Sequence, residues 1–425
     1  MQSVCKNQYL RRLNSTGTER YHQPQSSENS EFQTESVPQN QAKTFTDLIM
    51  RVQRRVRQVP LVFCLMILTS YFQAGQSVWS LGIPHQVYIV GTVTSVCDGM
   101  GLTKGQTRLC VANRELMPSI RNGARLATEQ CEYQFKYRRW NCSVPERDSK
   151  APFRRITGKG TREAAFTYAI AAAGVVHSIA RACVGGNLSL CGCSREPRPE
   201  NLKKDYQWGG CGDNILYGAE VAKQFLTAGE EHKSKDSSKM ERTLMNLHNN
   251  GVGIQVVSEE ARVFCKCHGL SGSCNIKTCQ RHIAEIRVIG DLLHKKYDNA
   301  LRVKMEKKNA MDILQVMKRK KNGGGRRDNA KLRSTHKKPP SDALVFLKDS
   351  PNYCVRSGKH EFPGTVGRTC SIESYGTDSC EDLCCGRGHR SAKVTTTHRC
   401  KCKFHWCCEI RCDKCTKVEI QHTCR

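Results

Sequence analysis

The sequence predicts a disulfide-rich α+β protein: a helical N-terminal lobe that carries a β-hairpin, then a small cysteine-rich β lobe. Three observations carry this. The 425-residue chain holds 26 cysteines, far more than a reducing compartment favours. Residues 97–300 show mostly helical patterning, broken by one β-like stretch. Residues 354–425 hold twelve cysteines in 72 positions and too few apolar residues for an ordinary core. The length itself fits two or three domains at roughly 150 residues each.

The N-terminus bears on the compartment. RVQRRVRQ, residues 51–58, has four arginines, and the apolar run LVFCLMIL, residues 61–68, follows and continues to Phe72. Ala74, Gly75 and Ser77 then supply small residues. Basic, apolar, small is the order of a secretory signal peptide, assigned to residues 50–77. The rival reading is a membrane anchor with a short cytosolic tail, but the apolar run falls short of the ~20 residues a span needs. Residues 1–49 are polar and rich in Gln, Ser, Asn and Glu, a disordered composition. Met50 stands as a second candidate start, which would make them an upstream extension. Without Cys5 and Cys64, 24 cysteines remain from Cys97 to Cys424, an even number as a closed framework requires. The formal charge of +29 implies an acidic partner: nucleic acid, anionic lipid or sulfated glycan. Export favours the glycan, because an intracellular nucleic-acid binder would need reduced cysteines.

Residues 78–317 are assigned to the helical lobe. RELMPSIRNGARLATEQCEYQF, residues 114–135, has apolar residues near helical spacing. Residues 161–183 are Ala-rich and apolar on most faces, which predicts a buried helix closed by Gly185 and Gly186. His177 and Arg181 argue against a membrane span there. Residues 214–226 read as a helix with Asp213 as N-cap, and 238–250 as another. GIQVVSEEARVFCKC, residues 253–267, has β-branched runs around Ser258-Glu259-Glu260 and reads as a hairpin. Cys265 and Cys267 lie two apart and so share one face of its second strand. Residues 318–345 read as a linker: 318–338 holds ten basic residues and one acid, with Gly323–Gly325 and Pro339-Pro340 as breakers. It is either a solvated, self-repelling spacer or a heparan-sulfate contact. The cysteine-rich lobe, residues 346–425, should hold short strands and loops with little helix.

Three chemistries compete for the cysteines. Zinc fits poorly: spacings run from zero, at Cys384-Cys385 and Cys407-Cys408, to more than fifteen, despite His268, His389 and His405 nearby. Catalysis fits poorly too. LSGS, residues 270–273, lacks the full nucleophile-elbow pattern, and no paired carboxylates stand out, so the chain reads as a non-enzyme without cofactor or metal. The third reading is a disulfide-stiffened display loop. CHGLSGSC, residues 267–274, is too rich in Gly and Ser for a helix or strand. A Cys267–Cys274 bond would close it, stabilising by about 2.5 kcal/mol in the chain-entropy estimate, and would leave Ser271 exposed at the tip.

CKCHGLSGSCNIKTC (265–279) resembles the signature of the Wnt family of secreted signalling proteins. RRWNCS (138–143), CGDNILYG (211–218), CCGRGH (384–389), KCKFHWCC (401–408) and the final HTC (422–424) are similar to the family's motifs and stand in its order. The resemblance runs from about Cys97 to the C-terminus. It implies a helical N-terminal lobe with a long thumb hairpin and a cysteine-knot-like C-terminal lobe with an index finger, both engaging the cysteine-rich domain of a Frizzled receptor. It implies palmitoleate on Ser271, attached by the acyltransferase Porcupine, and transport by the carrier Wntless. It further implies an LDL-receptor-related co-receptor and heparan sulfate proteoglycans in the extracellular matrix. The index finger falls on Phe404, His405, Trp406, Cys407, Cys408, Glu409 and Ile410, with Trp406 a receptor contact rather than core.

The family framework implies disulfides Cys131–Cys142, Cys183–Cys191, Cys193–Cys211, Cys265–Cys279 and Cys267–Cys274 in the first lobe. In the second it implies Cys354–Cys385, Cys370–Cys380, Cys384–Cys424, Cys400–Cys415, Cys402–Cys412 and Cys407–Cys408. Cys97 and Cys110 are left for each other. Asn141 and Asn187 stand in N-glycan sequons; Asn14 does too but precedes the signal segment. Two positions depart from the pattern: Gln280 where Trp is usual after KTC, and Ile254 where Arg is expected.

Overall fold

The computed structural model describes residues 97, 100–142, 159–230, 236–308, 311–319, 332–357, 362–405 and 409–425. The expectations for residues 1–77, for 320–331 of the basic stretch, for Ser143 and for Trp406, Cys407 and Cys408 lie outside them. The described chain forms two compact units: 393–420, and the remainder.

The larger unit is built on helices α1 (Lys104–Ala112), α2 (Leu116–Gln134) and α3 (Arg162–Val184). Helices α4 (Ile215–Glu230), α5 (Ser237–Glu259) and α6 (Ile286–Asp298) complete it. The hub is α3, which packs against α2, α4, α5 and α6. Its alanines and its one glycine, Gly174, let those helices approach closely. A Cβ on Gly123 of α2 would stand 2.6 Å from Gly174 O, and one on Gly174 would stand 2.3 Å from Gly123 O. Among the described residues α3 alone is long and apolar enough to cross a membrane, and it is the buried centre of the unit.

At one end of α3 lies an aromatic cluster. Phe135 meets Trp140, Phe166 and Tyr297 edge-on at 4.7, 4.8 and 4.9 Å between ring centres. Beside it the buried Glu163 accepts from Tyr297 Oη at 3.0 Å and Ser350 Oγ at 2.9 Å. Burial and the Glu163 charge push the Tyr297 and Tyr353 phenols far above their ordinary range, which keeps both as neutral donors.

Two sequence readings need correction here. The stretch expected as the first hairpin strand is the end of α5, where Val252, Val256 and Val257 are buried. Burial against α3 outweighs the β preference of those residues. Asp213 does not cap α4: Asn214 Oδ1 accepts from Tyr217 N at 3.2 Å, and the Asp213 side chain points elsewhere.

The hairpin is made instead by β2 (Arg262–Cys267) and β3 (Lys277–His282), paired antiparallel. A short β1 (Gln207–Trp208) runs parallel to β3. A second sheet has the order β6-β5-β4-β7, from β4 (Leu301–Lys308), β5 (Met311–Arg319), β6 (Leu332–Ser334) and β7 (Val345–Phe346). Part of the stretch read as a linker therefore belongs to this sheet, and Leu344, Val345 and Phe346 are buried. The apolar LVF triplet next to the lysines reaches the core that the basic stretch cannot.

The C-terminal region holds β8 (Thr369–Cys370), a one-turn α7 (Cys380–Leu383), β9 (His389–His405) and β10 (Glu409–Cys424). The last two strands have 17 and 16 residues, where short strands were expected. Cross-linking, not a core, carries their length: most of their side chains are exposed. The distal part of this hairpin is the smaller unit.

Candidate functional site

Eleven disulfides join described residues. In the larger unit these are Cys97–Cys110, Cys131–Cys142, Cys183–Cys191, Cys193–Cys211, Cys265–Cys279, Cys267–Cys274, Cys354–Cys385, Cys370–Cys380 and Cys384–Cys424. The finger hairpin holds Cys400–Cys415 and Cys402–Cys412. Cys370, Cys384 and Cys424 bring their sulfurs within 4.8 Å of one another, but all three are in disulfides.

The thumb hairpin is cross-linked twice. Cys265 and Cys279 face each other directly across β2 and β3, with Cα atoms 4.0 Å apart. Cys267–Cys274 closes the tip at 4.6 Å. Towards the tip the backbone ladder continues, from His268 N to Ile276 O at 2.8 Å and, inside the closed loop, from Gly269 N to Ser273 O at 2.8 Å. Two overlapping turns finish it: Gly272 N donates to Gly269 O, and Ser273 N to Leu270 O. The sequence reading allowed no helix in this loop, but Leu270–Gly272 forms a single 3₁₀ turn.

Ser271 sits at the apex, exposed, with φ 54° and ψ 25°. That left-handed conformation is costly for a residue with a Cβ and persists only because the closed loop imposes it. Leu270 beside it is 93% exposed, and Phe264 and Ile276 are also exposed. The sequence reading passed over these three; only Leu270 carried a local signal, an apolar residue in a Gly/Ser-rich loop between two cysteines.

The thumb base is polar. Gln280, the departure from the family pattern, lies opposite Phe264 and places its Nε2 2.7 Å from His282 Nε2. Ile254 packs against the main core from α5. Asp213 Oδ2 accepts from Ile283 N at 2.9 Å and lies 3.1 Å from His282 Nδ1. Arg181 Nε of α3 is 3.5 Å from the same oxygen. His177, one turn before Arg181, is held down to about 4 by burial and by that guanidinium.

Of the finger residues, Phe404 and Ile410 are each 67% exposed, and His405 and Glu409 are exposed. Asn187 is exposed beside the Cys183–Cys191 bond, and Ser189 of its sequon donates to Glu115. Asn141 is partly buried next to Cys142.

Comparison with known proteins agrees with this architecture. The model of the Wnt family matches residues 98–425. Protein Wnt-5a of Mus musculus is 43% identical over 376 residues, covering 85% of this chain and 94% of that protein. Protein Wnt-5a of Xenopus laevis is 44% identical over 373 residues, covering 86% and 93%. Protein Wnt-5b of Pongo abelii is 42% identical over 375 residues, covering 86% and 99%. Among solved structures, human WLS in complex with WNT8A matches with a TM-score of 0.51 and 34% identity, covering 73% of this chain and 94% of that one. A cross-linked thumb, eleven disulfides among the described residues and a family match over residues 98–425 lead to one conclusion: this chain belongs to the Wnt family of signalling ligands.

Proposed function

We propose that this chain is a secreted, palmitoleoylated ligand that binds the cysteine-rich domain of Frizzled receptors through its thumb and finger tips and triggers Wnt signalling in development and cell-fate control. One observation carries the reading: an exposed serine in a left-handed turn, on a loop closed by Cys267–Cys274 and braced by Cys265–Cys279. A hydroxyl held outward on a rigid tip suits modification and presentation. Leu270 beside it extends the apolar surface that an acyl chain would begin.

A sixteen-carbon chain buried in an apolar groove contributes on the order of 10 kcal/mol at ~0.8 kcal/mol per methylene, before the cost of ordering it. Such a chain needs enzymatic attachment during export, the role of Porcupine, and cover from water in transit, the role of Wntless. The likeness to WNT8A, solved with human WLS, supports the second. Phe404 and Ile410, which flank Trp406, Cys407 and Cys408 in the sequence, supply exposed apolar surface for a second receptor contact. An LDL-receptor-related co-receptor completes the signalling complex. The +29 charge supports retention by heparan sulfate proteoglycans in the extracellular matrix.

The test is peptide mass spectrometry on the secreted protein with a Frizzled reporter assay. We expect a palmitoleoyl mass on the peptide containing Ser271 and a loss of signal of about tenfold or more, worth at least ~1.4 kcal/mol, in Ser271→Ala. A bare serine on fully signalling, disulfide-bonded protein would remove the lipid from the mechanism.

A further inference from the structure

We propose that Asp213 is a positioning residue: its buried carboxylate sets the direction in which the thumb leaves the helical unit, and so where the tip is presented. The inference rests on the ligand reading above for its consequence, but not for its geometry.

Asp213 is 1% exposed and grips three consecutive residues at the end of β3. Its N–H donates to Arg281 O at 3.0 Å, and its Oδ2 lies 3.1 Å from His282 Nδ1 and accepts from Ile283 N at 2.9 Å. These are the residues through which the chain leaves the thumb for α6. Arg181 of α3 approaches the same oxygen at 3.5 Å and ties the grip to the hub helix. The loop that carries Asp213 is itself locked. Cys211 is bonded to Cys193, and Ser194 N donates to Gly212 O at 3.0 Å. A Cβ on Gly212 would stand 2.8 Å from Arg281 O, so loop and strand end are in direct contact.

The other strand enters differently. β2 follows α5 through Glu260 and Ala261, the latter partly buried against the main core, and its first residue, Arg262, is largely exposed and pairs with Glu260 at 3.5 Å. A surface pair of that kind fixes little. The pivot therefore lies at 281–283. Internally the hairpin does not depend on Asp213, because it has two disulfides of its own and β1 along β3. Leverage makes the pivot matter. β3 extends the tip roughly 20 Å from the grip at about 3.3 Å per residue, so a swing of about 10° displaces the tip by ~4 Å. A buried carboxylate is costly unless it is paired. Here Oδ1 has no partner among the described residues, while Oδ2 meets His282 Nδ1, Ile283 N–H and Arg181 Nε.

Asp213→Asn keeps the size and an acceptor for Ile283 N–H but removes the charge that Arg181 and the His282 ring meet. The measurements use full-length secreted protein. We expect the Asn variant to keep its disulfide map and the mass on the Ser271 peptide. Its partition into phosphatidylcholine vesicles, which needs only an acyl chain, should match wild type. Hydrogen exchange at residues 281–283 should rise about tenfold, and affinity for a Frizzled cysteine-rich domain should fall about tenfold. His282→Gln, which removes one donor and keeps the Ile283 contact, should give smaller changes in the same two readouts and decides the matter if the Asn variant is not secreted. Unchanged exchange at 281–283 would overturn the proposal, as would faster exchange with undiminished receptor affinity. Wild type that fails to enter vesicles marks failure of the lipid reading instead; the exchange rates then still decide the grip.

Discussion

At Gly269 an added Cβ would stand 1.9 Å from Ser273 Oγ and 2.5 Å from Ser273 O. The hydroxyl can rotate away, but the carbonyl oxygen belongs to the backbone of the loop that Cys267–Cys274 closes and has no room to withdraw. Gly269→Ala should therefore prevent closure at the tip while leaving Cys265–Cys279 intact, and disulfide mapping of the secreted variant checks this. The same closure holds Ser271 in a left-handed conformation that a free loop would leave. His177 gives a second prediction. Burial first, and Arg181 second, hold its folded pKa near 4 against 6.5 for the free residue. The unfolded chain then takes up the proton first, so this histidine costs stability as pH falls from about 6.5 towards 4 and has no effect above. Relative to wild type, His177→Gln should gain about 1–2 kcal/mol between pH 7 and pH 5, allowing for partial solvent screening, as read from urea midpoints at the two pH values.

The Ala-rich α3 works as an element because its neighbours need its small residues. Gly174→Leu would drive a branched side chain into the Gly123 carbonyl, where no rotamer clears the backbone. Overpacking of this kind costs typically 1–3 kcal/mol, and more against a rigid backbone. We expect the variant to be retained inside the cell, with secreted yield as the measure. The finger hairpin behaves oppositely. Its strands are mostly exposed, and its two disulfides are internal to it. Replacing Cys400 and Cys415 together by Ser should open the finger to limited proteolysis and leave the thermal transition of the larger unit unchanged.

Over the whole molecule, cross-links take the place of an apolar core in the C-terminal region, whereas the helices and the β4–β5–β7 sheet have apolar clusters of their own. The C-terminal cluster of buried residues is small: Cys370, Cys380, Leu383, Cys384 and Cys424. Four of the five are half-cystines, so burial and cross-linking are one feature there. Cys384–Cys424 spans 40 residues, and the chain-entropy estimate assigns such closure about 4 kcal/mol. Replacing both by Ser should lower secreted yield sharply, more than the finger pair does, as an immunoblot of medium against cell lysate would show.

The sequence by itself determined the helical lobe, the disulfide-rich character, the family and the tip serine. Each depends on local pattern: apolar spacing in residues 114–135 and 161–183, cysteine density, and motifs of a few adjacent residues. The length of α5, the partners of the thumb strands and the task of Asp213 were decided only in the tertiary structure. Val256 and Val257 favour a strand alone but are buried in α5 against α3, since a contact made by distant residues outweighs a propensity worth under 1 kcal/mol. Asp213 precedes a helix and carries a capping side chain, but its carboxylate meets Ile283 N–H some seventy residues away. No local pattern marks such a partner, because the chain must fold before the two are neighbours.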